Sequence, residues 1–167
     1  ISGVTTLTLA SVGGTATLSG DVDVTTLTVG STVANVAFTG NGSSVTNAVS
    51  FANDGTLILG TSGGTQTYNG GLTTSSVGGT VTLNGSLVTS DDALTLGAAT
   101  LASDVTLTSA GGAIVTGAIT GTSTDDLTIT SSGGSTNTIS LGAIGGSGNV
   151  HNVSATAGTS ITLTGNV

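Results

Sequence analysis

The block Val4-Thr5-Thr6-Leu7-Thr8-Leu9 returns twenty positions later as Val24-Thr25-Thr26-Leu27-Thr28-Val29, and Gly20 returns as Gly40. Self-similarity at such a period marks a solenoid, in which each repeat buries its apolar face only by stacking on its neighbours. Two further echoes follow. Residues 63–70 (GGTQTYNG) recur at an offset of fifteen as 78–85 (GGTVTLNG), and 105–112 (VTLTSAGG) recur at an offset of twenty-two as 127–134 (LTITSSGG).

Apolar and small polar residues alternate with a period of two, the period of a strand with one buried face. Runs rich in Thr, Val, Leu and Ile predict strands at 5–10, 15–19, 25–29, 35–39, 48–52, 56–59, 65–69, 80–84, 93–96, 105–109, 113–116, 127–131, 138–141, 152–156 and 160–164. Glycine pairs such as Gly63-Gly64, Gly111-Gly112 and Gly133-Gly134 separate them, as tight corners require. No segment reads as an amphipathic helix. Asn-Gly occurs at 41–42, 69–70 and 84–85; it signals a hairpin in an antiparallel protein and a corner between strands of one coil in a solenoid. Two of the three hold matching places in the fifteen-residue echo, which favours the corner.

The predicted fold is therefore all-β: a parallel β-solenoid of residues 1–167 with coils of about 20 residues, Leu7 over Leu27 and Thr8 over Thr28. About eight such coils, spaced by about 4.8 Å, make a rod on the order of 40 Å long. The offset of fifteen is short for a three-sided coil and points either to a flattened coil or to a match between different sides of neighbouring coils. The alternative fold is a β-sandwich, which uses strands of similar length but does not require residues to recur in register. The core is expected to consist of Val, Leu, Ile and Ala. The only aromatics, Phe38, Phe51 and Tyr68, are expected not to fit between closely spaced sheets.

The 167 residues include no Lys, Arg, Glu, Cys, Met, Pro or Trp. The formal charge of −8 comes from Asp21, Asp23, Asp54, Asp91, Asp92, Asp104, Asp125 and Asp126. Without a basic side chain these carboxylates are expected to form no salt bridge, and each must be solvated, hydrogen-bonded or bound to a cation. Neutralising phosphate takes Lys or Arg, so nucleic acid is excluded as a partner, and attraction to anionic lipid fails for the same reason. No apolar run has the length of a membrane-spanning helix. The missing Lys and Arg also remove the cleavage points of proteases selective for basic side chains, which suits life outside a cell. The chain opens at Ile1 and closes at Val167 just after a strand-like run, suggesting a processed subunit or a segment of something longer.

Residues 63–76 (GGTQTYNGGLTTSS), 78–91 (GGTVTLNGSLVTSD) and 125–134 (DDLTITSSGG) resemble the repeat regions of large bacterial exoproteins, the filamentous-haemagglutinin-like adhesins and related autotransporter passenger domains. The similarity is one of repeat style and covers most of the chain. It implies a right-handed parallel β-helix forming the shaft of a secreted adhesin or extracellular fibre at the bacterial cell surface.

Candidate chemistry is sparse. His151 is the only histidine, so no multi-histidine metal site can form. No G-x-S-x-G elbow surrounds any serine, and His151 reads as an exposed loop residue between Asn149 and Asn152. No catalytic, cofactor-binding or metal-binding residue is assigned, and the expectation is a protein that is not an enzyme and needs no cofactor. Calcium is the alternative role for the turn aspartates Asp21, Asp23, Asp91, Asp92, Asp125 and Asp126, but solvated carboxylates are the default. Gly145-Gly146-Ser147-Gly148 begins like a calcium-binding nonapeptide, with Val150 where its Asp belongs. Asn41, Asn84 and Asn152 start glycosylation sequons that carry no weight in so Asn- and Ser-rich a chain.

Thr-x-Thr recurs in the strands, for example at 6–8, 15–17, 26–28, 80–82 and 162–164, which resembles the threonine ladders of some ice-binding proteins. Ice binding needs one regular array, and offsets of fifteen, twenty and twenty-two are expected to break it. A carbohydrate site would want an aromatic platform, for which Tyr68 is the one candidate. The expected function is a structural shaft, with partners that are further copies joined end to end, flanking repeats of the same chain, or other cells and surfaces. A β-sandwich pilus subunit joined by strand donation is second, and an ice- or carbohydrate-binding solenoid third.

Overall fold

The computed structural model describes residues 1–134 and 137–166, so Val167 lies outside the described residues. These residues wind as an all-β solenoid of about 8 turns, with coils near 21 residues and no helix. Every strand pairing among them is parallel, and no pair of facing antiparallel sheets exists. The sandwich alternative falls on that observation.

Each coil has three faces. The first carries β1 (Val4–Leu9), β3 (Asp23–Val29), β5 (Ser44–Val45), β8 (Thr65–Tyr68), the second half of β10 (Val81–Thr89), the second half of β12 (Ala99–Ser109), β15 (Asp126–Ser131) and β17 (Asn152–Ala157). The second stacks β6 (Val49–Ser50), β9 (Leu72–Thr73), β11 (Leu94–Leu96), β13 (Ile114–Thr116), β16 (Thr138–Leu141) and β18 (Ser160–Leu163). The third runs from β2 (Thr15–Leu18) through β4 (Asn35–Phe38), β7 (Leu57–Leu59) and the first halves of β10 and β12 to β14 (Ile119–Thr120) and a bridge at Ile144.

The expected register holds: Leu7 pairs with Leu27, Thr8 with Thr28 and Val105 with Leu127. The fifteen-residue echo joins two sides of one coil. Thr65–Tyr68 pairs within the first face, whereas residues 81–83 pair with Leu57–Leu59 and with Ala99–Leu101 on the third. All three Asn-Gly pairs turn corners: 41–42 and 84–85 lead from the third face to the first, and 69–70 leads from the first to the second. Sequence runs missed the short strands Ser44–Val45, Leu72–Thr73 and Ile119–Thr120, and covered only the first half of β10 (80–84) and the second half of β12 (105–109), strands that continue through their corner at a register shift.

Inward-facing side chains stack in columns. Val36, Leu57, Val81, Ala99 and Ile119 lie over one another, as do Leu72, Leu94, Ile114 and Ile139, and all of them are buried. One expectation fails here. Phe38, Phe51 and Tyr68 are wholly enclosed, with the Phe38 ring centroid 6.5 Å from Phe51 and 6.3 Å from Tyr68. The interior does admit rings, packed edge-on or tilted against Phe38 from neighbouring coils.

At the corner between the first and second faces the column turns polar, with Thr89 over Ser109 over Ser131. Each hydroxyl serves the backbone of a turn. Thr89 Oγ1 donates to the Asp92 carbonyl at 2.7 Å, Ser131 Oγ donates to the Gly112 carbonyl at 2.8 Å, and Ser109 Oγ accepts from the Gly112 N–H at 2.8 Å. Buried turn groups that strand pairing cannot reach are satisfied in this way.

Candidate functional site

The turn aspartates do not converge. Among the described residues, no group of three or more His, Cys, Asp or Glu side chains lies close enough to share a metal ion. Several of these carboxylates instead close the backbone of the next coil. Asp21 Oδ1 accepts from the Gly42 N–H at 2.7 Å, and Asp104 Oδ1 accepts from the Asp126 N–H at 2.9 Å. Asp125 departs from the solvated default. It is buried, and its Oδ2 accepts from both the N–H and the hydroxyl of Thr122, at 2.9 and 2.7 Å. Local carboxylate-to-backbone bonding of this kind is what favours Asp in turns.

Asp126, its chain neighbour, faces outward to His151. The His151 Nδ1 lies 2.8 Å from Asp126 Oδ1, and the Asn152 amide donates to the same oxygen at 3.0 Å. The Asp126 carboxyl is held below the usual carboxylate range, first by the hydrogen bond from His151 and then by that from Asn152. The contact becomes an ion pair once the ring is protonated, so the expectation of no salt bridge needs correcting. It counted His151 as neutral and overlooked the imidazolium. His151 is exposed, as its sequence context suggests, and no serine hydroxyl bonds to it among the described residues. Among the described residues no hydrolytic triad is assembled around His151.

A hollow of about 600 Å³, open to solvent, lies beside His151 and is lined by Ser123, Ile144, Asn149 and Val150 with the glycines 145 and 146. Those two glycines adopt positive φ, and no carboxylate lines the hollow. Tyr68 offers no sugar platform. It is buried on all sides, and its hydroxyl donates to Gln66 Oε1 at 2.9 Å. The sequon residues Asn41 and Asn152 are exposed and Asn84 is half-buried.

The threonines order themselves in a way the sequence offsets conceal. The Thr-x-Thr runs singled out above scatter over all three faces. A regular grid forms elsewhere, on the first face: Thr65 and Thr67 pair with Ser86 and Val88, these with Thr106 and Thr108, these with Thr128 and Thr130, and these with Ser154 and Thr156. All ten side chains are exposed or half-buried and alternate with inward-facing residues. The expectation of a broken array was mistaken because unequal coil lengths are absorbed at the corners, leaving the paired strands in register. Aligning strands by coil, rather than by offset along the chain, would have found the grid.

No family model, no curated protein and no solved structure matches this chain.

Proposed function

We propose that the chain is a non-catalytic structural solenoid: a rigid length of shaft in an extracellular bacterial fibre or adhesin, continued at its ends by further solenoid. The continuation comes from another copy or from flanking repeats of the same chain. One observation carries the reading. The apolar columns are closed in the middle of the rod and open at its ends. Leu87, Leu107 and Ile114 are 0% exposed, whereas Val4 is 43%, Ile161 45% and Leu163 56% exposed.

Among the described residues, the outer edges of β1 and β18 also present strand backbone with no partner strand beyond them, and such edges template the addition of another strand. Re-burying a side chain of this size contributes about 1.5–3 kcal/mol. Val4, Ile161 and Leu163 are about half exposed and gain part of that each, which with a row of backbone hydrogen bonds works against an association cost of roughly 4–15 kcal/mol. The mechanism is mechanical: load along the rod is shared by three parallel ladders and by columns of interlocked side chains. The extracellular setting rests on the absence of Lys and Arg and on the likeness in repeat style to bacterial exoproteins.

Sedimentation velocity at rising concentration tests the reading. The chain is expected to form end-to-end oligomers, and Leu163→Asp, which places a charge on the open end, is expected to suppress them while leaving the β-sheet signal intact. A chain that stays monomeric at millimolar concentration would overturn the joining of separate copies and leave only flanking repeats of the same chain to continue the shaft.

A further inference from the structure

The grid on the first face has three properties that together narrow what it can bind. The first is periodicity in two dimensions. Strand pairing sets a spacing of about 4.8 Å along the rod, and the two-residue strand repeat sets about 6.6 Å across it. Five consecutive coils keep this register.

The second is that its hydroxyls are unengaged. Among the described residues, none of the threonines at 65, 67, 106, 108, 128, 130 and 156 spends its side-chain oxygen on another protein group. Some threonines elsewhere do, although others, Thr95 on the second face among them, are equally unengaged. Thr100 and Thr120 on the third face bond to each other at 3.0 Å, and the Asn47 amide donates to Thr26 Oγ1 at 2.9 Å.

The third is the absence of charge inside the grid. The bordering carboxylates of Asp104 and Asp126 are occupied at its edge, one by a backbone N–H and the other by His151 and Asn152. Towards the amino terminus the Thr67 column runs through Ser44 to Asp23, where the array ends.

An anion finds no Lys or Arg on such a face, and a sugar finds no ring to stack on, since Tyr68 is enclosed. A flexible polymer would lose chain entropy on being ordered against it. A crystalline solid carries no such cost, because its groups already repeat. Each threonine offers a hydroxyl that both donates and accepts, beside a methyl that excludes loose water. Ice presents hydrogen-bonding oxygens at a fixed repeat, which a rigid two-dimensional array of hydroxyls can meet at many points at once. We propose that this face binds the surface of ice, the rows acting together so that many weak contacts add through multivalency. The inference does not depend on the shaft reading: it concerns the side of the rod, not its ends.

Thermal hysteresis and inhibition of ice recrystallisation, measured on the chain and on three variants, test it. Thr106→Tyr and Thr108→Tyr put a bulky ring in the grid at outward positions where aromatic residues suit a strand. Thr95→Tyr puts the same ring on the second face, between Thr73 and Val115. The chain is expected to show hysteresis, both grid variants to lose most of it, and Thr95→Tyr to keep it, with unchanged circular dichroism throughout. Thr108→Ser, which keeps the hydroxyl and drops the methyl, makes the same comparison if a tyrosine disturbs the fold. No hysteresis in the unaltered chain, or equal loss from Thr95→Tyr and Thr108→Tyr, would overturn the proposal.

Discussion

The Tyr68 hydroxyl donates to the Gln66 side-chain oxygen at 2.9 Å, with both residues sealed inside the solenoid. The Gln66 amide nitrogen in turn donates to the Phe38 carbonyl at 2.8 Å and the Gly40 carbonyl at 3.2 Å. Gln66 occupies a column that elsewhere holds Leu87, Leu107 and Ile129, so a polar network stands where the pattern calls for an aliphatic side chain. Removing half of such a network leaves buried groups unpaired. Gln66→Leu is expected to cost about 1–3 kcal/mol, and the double variant Gln66→Leu, Tyr68→Phe less than Gln66→Leu alone, because it removes the orphaned hydroxyl as well. Denaturant unfolding of the two variants checks this; a double variant clearly less stable than Gln66→Leu would contradict it.

Tyr68 is the only tyrosine, so ultraviolet absorbance reports its ionisation alone. Burial pushes its pKa well above the ordinary value of 10.0. A raised pKa in the folded state means that the neutral phenol's contribution is fully present below pH 10 and is lost as pH rises beyond it, when the unfolded chain ionises and the folded one does not. The phenolate signal is therefore expected to appear together with cooperative loss of β-structure rather than before it. A smooth titration near pH 10 with the sheet intact would contradict the burial.

Glycine's role can be separated by position. Gly85 has a φ of +64°, and a Cβ there would meet the Thr61 carbonyl oxygen at 2.3 Å and the Gly64 carbonyl oxygen at 2.5 Å. Gly13 has nothing within 4 Å of the same added atom. Gly85→Ala is expected to cost more than about 1 kcal/mol, and Gly13→Ala to be neutral or to stabilise by up to about 1 kcal/mol through the unfolded chain. Thermal melts of the two variants make the comparison, and equal melting temperatures would contradict it.

The Asp126–His151 contact predicts an acid-side effect. A lowered carboxyl pKa adds stability above the unfolded value, near 3.8, and that increment fades as pH falls below it. In carboxyl-detected NMR, His151→Ala is expected to move the Asp126 midpoint up toward the ordinary range. An unchanged midpoint would show that the hydrogen bond does not hold in solution.

Much of this architecture was legible in the chain. The twenty-residue echo located the stacking of Leu7 on Leu27, because identical strands in neighbouring coils leave identical inward residues. The aromatic cluster was not legible. Phe38, Phe51 and Tyr68 lie on three different faces, and only closure of the coil brings them together. The grid of threonines escaped for a related reason. Pairs such as Val81 with Ala99 and Leu127 with Val153 stand eighteen and twenty-six residues apart, so no fixed offset along the chain reveals a column that is continuous in space. The aspartates misled differently: a carboxylate that accepts a backbone N–H from the next coil looks, in sequence, like one that faces water.

Electron microscopy of the concentrated chain bears most directly on the shaft proposal. The open end coils predict unbranched filaments much longer than one rod, with an axial diffraction repeat near 4.8 Å running without interruption across the junctions. Discrete particles no longer than a single rod, at every concentration, would contradict it.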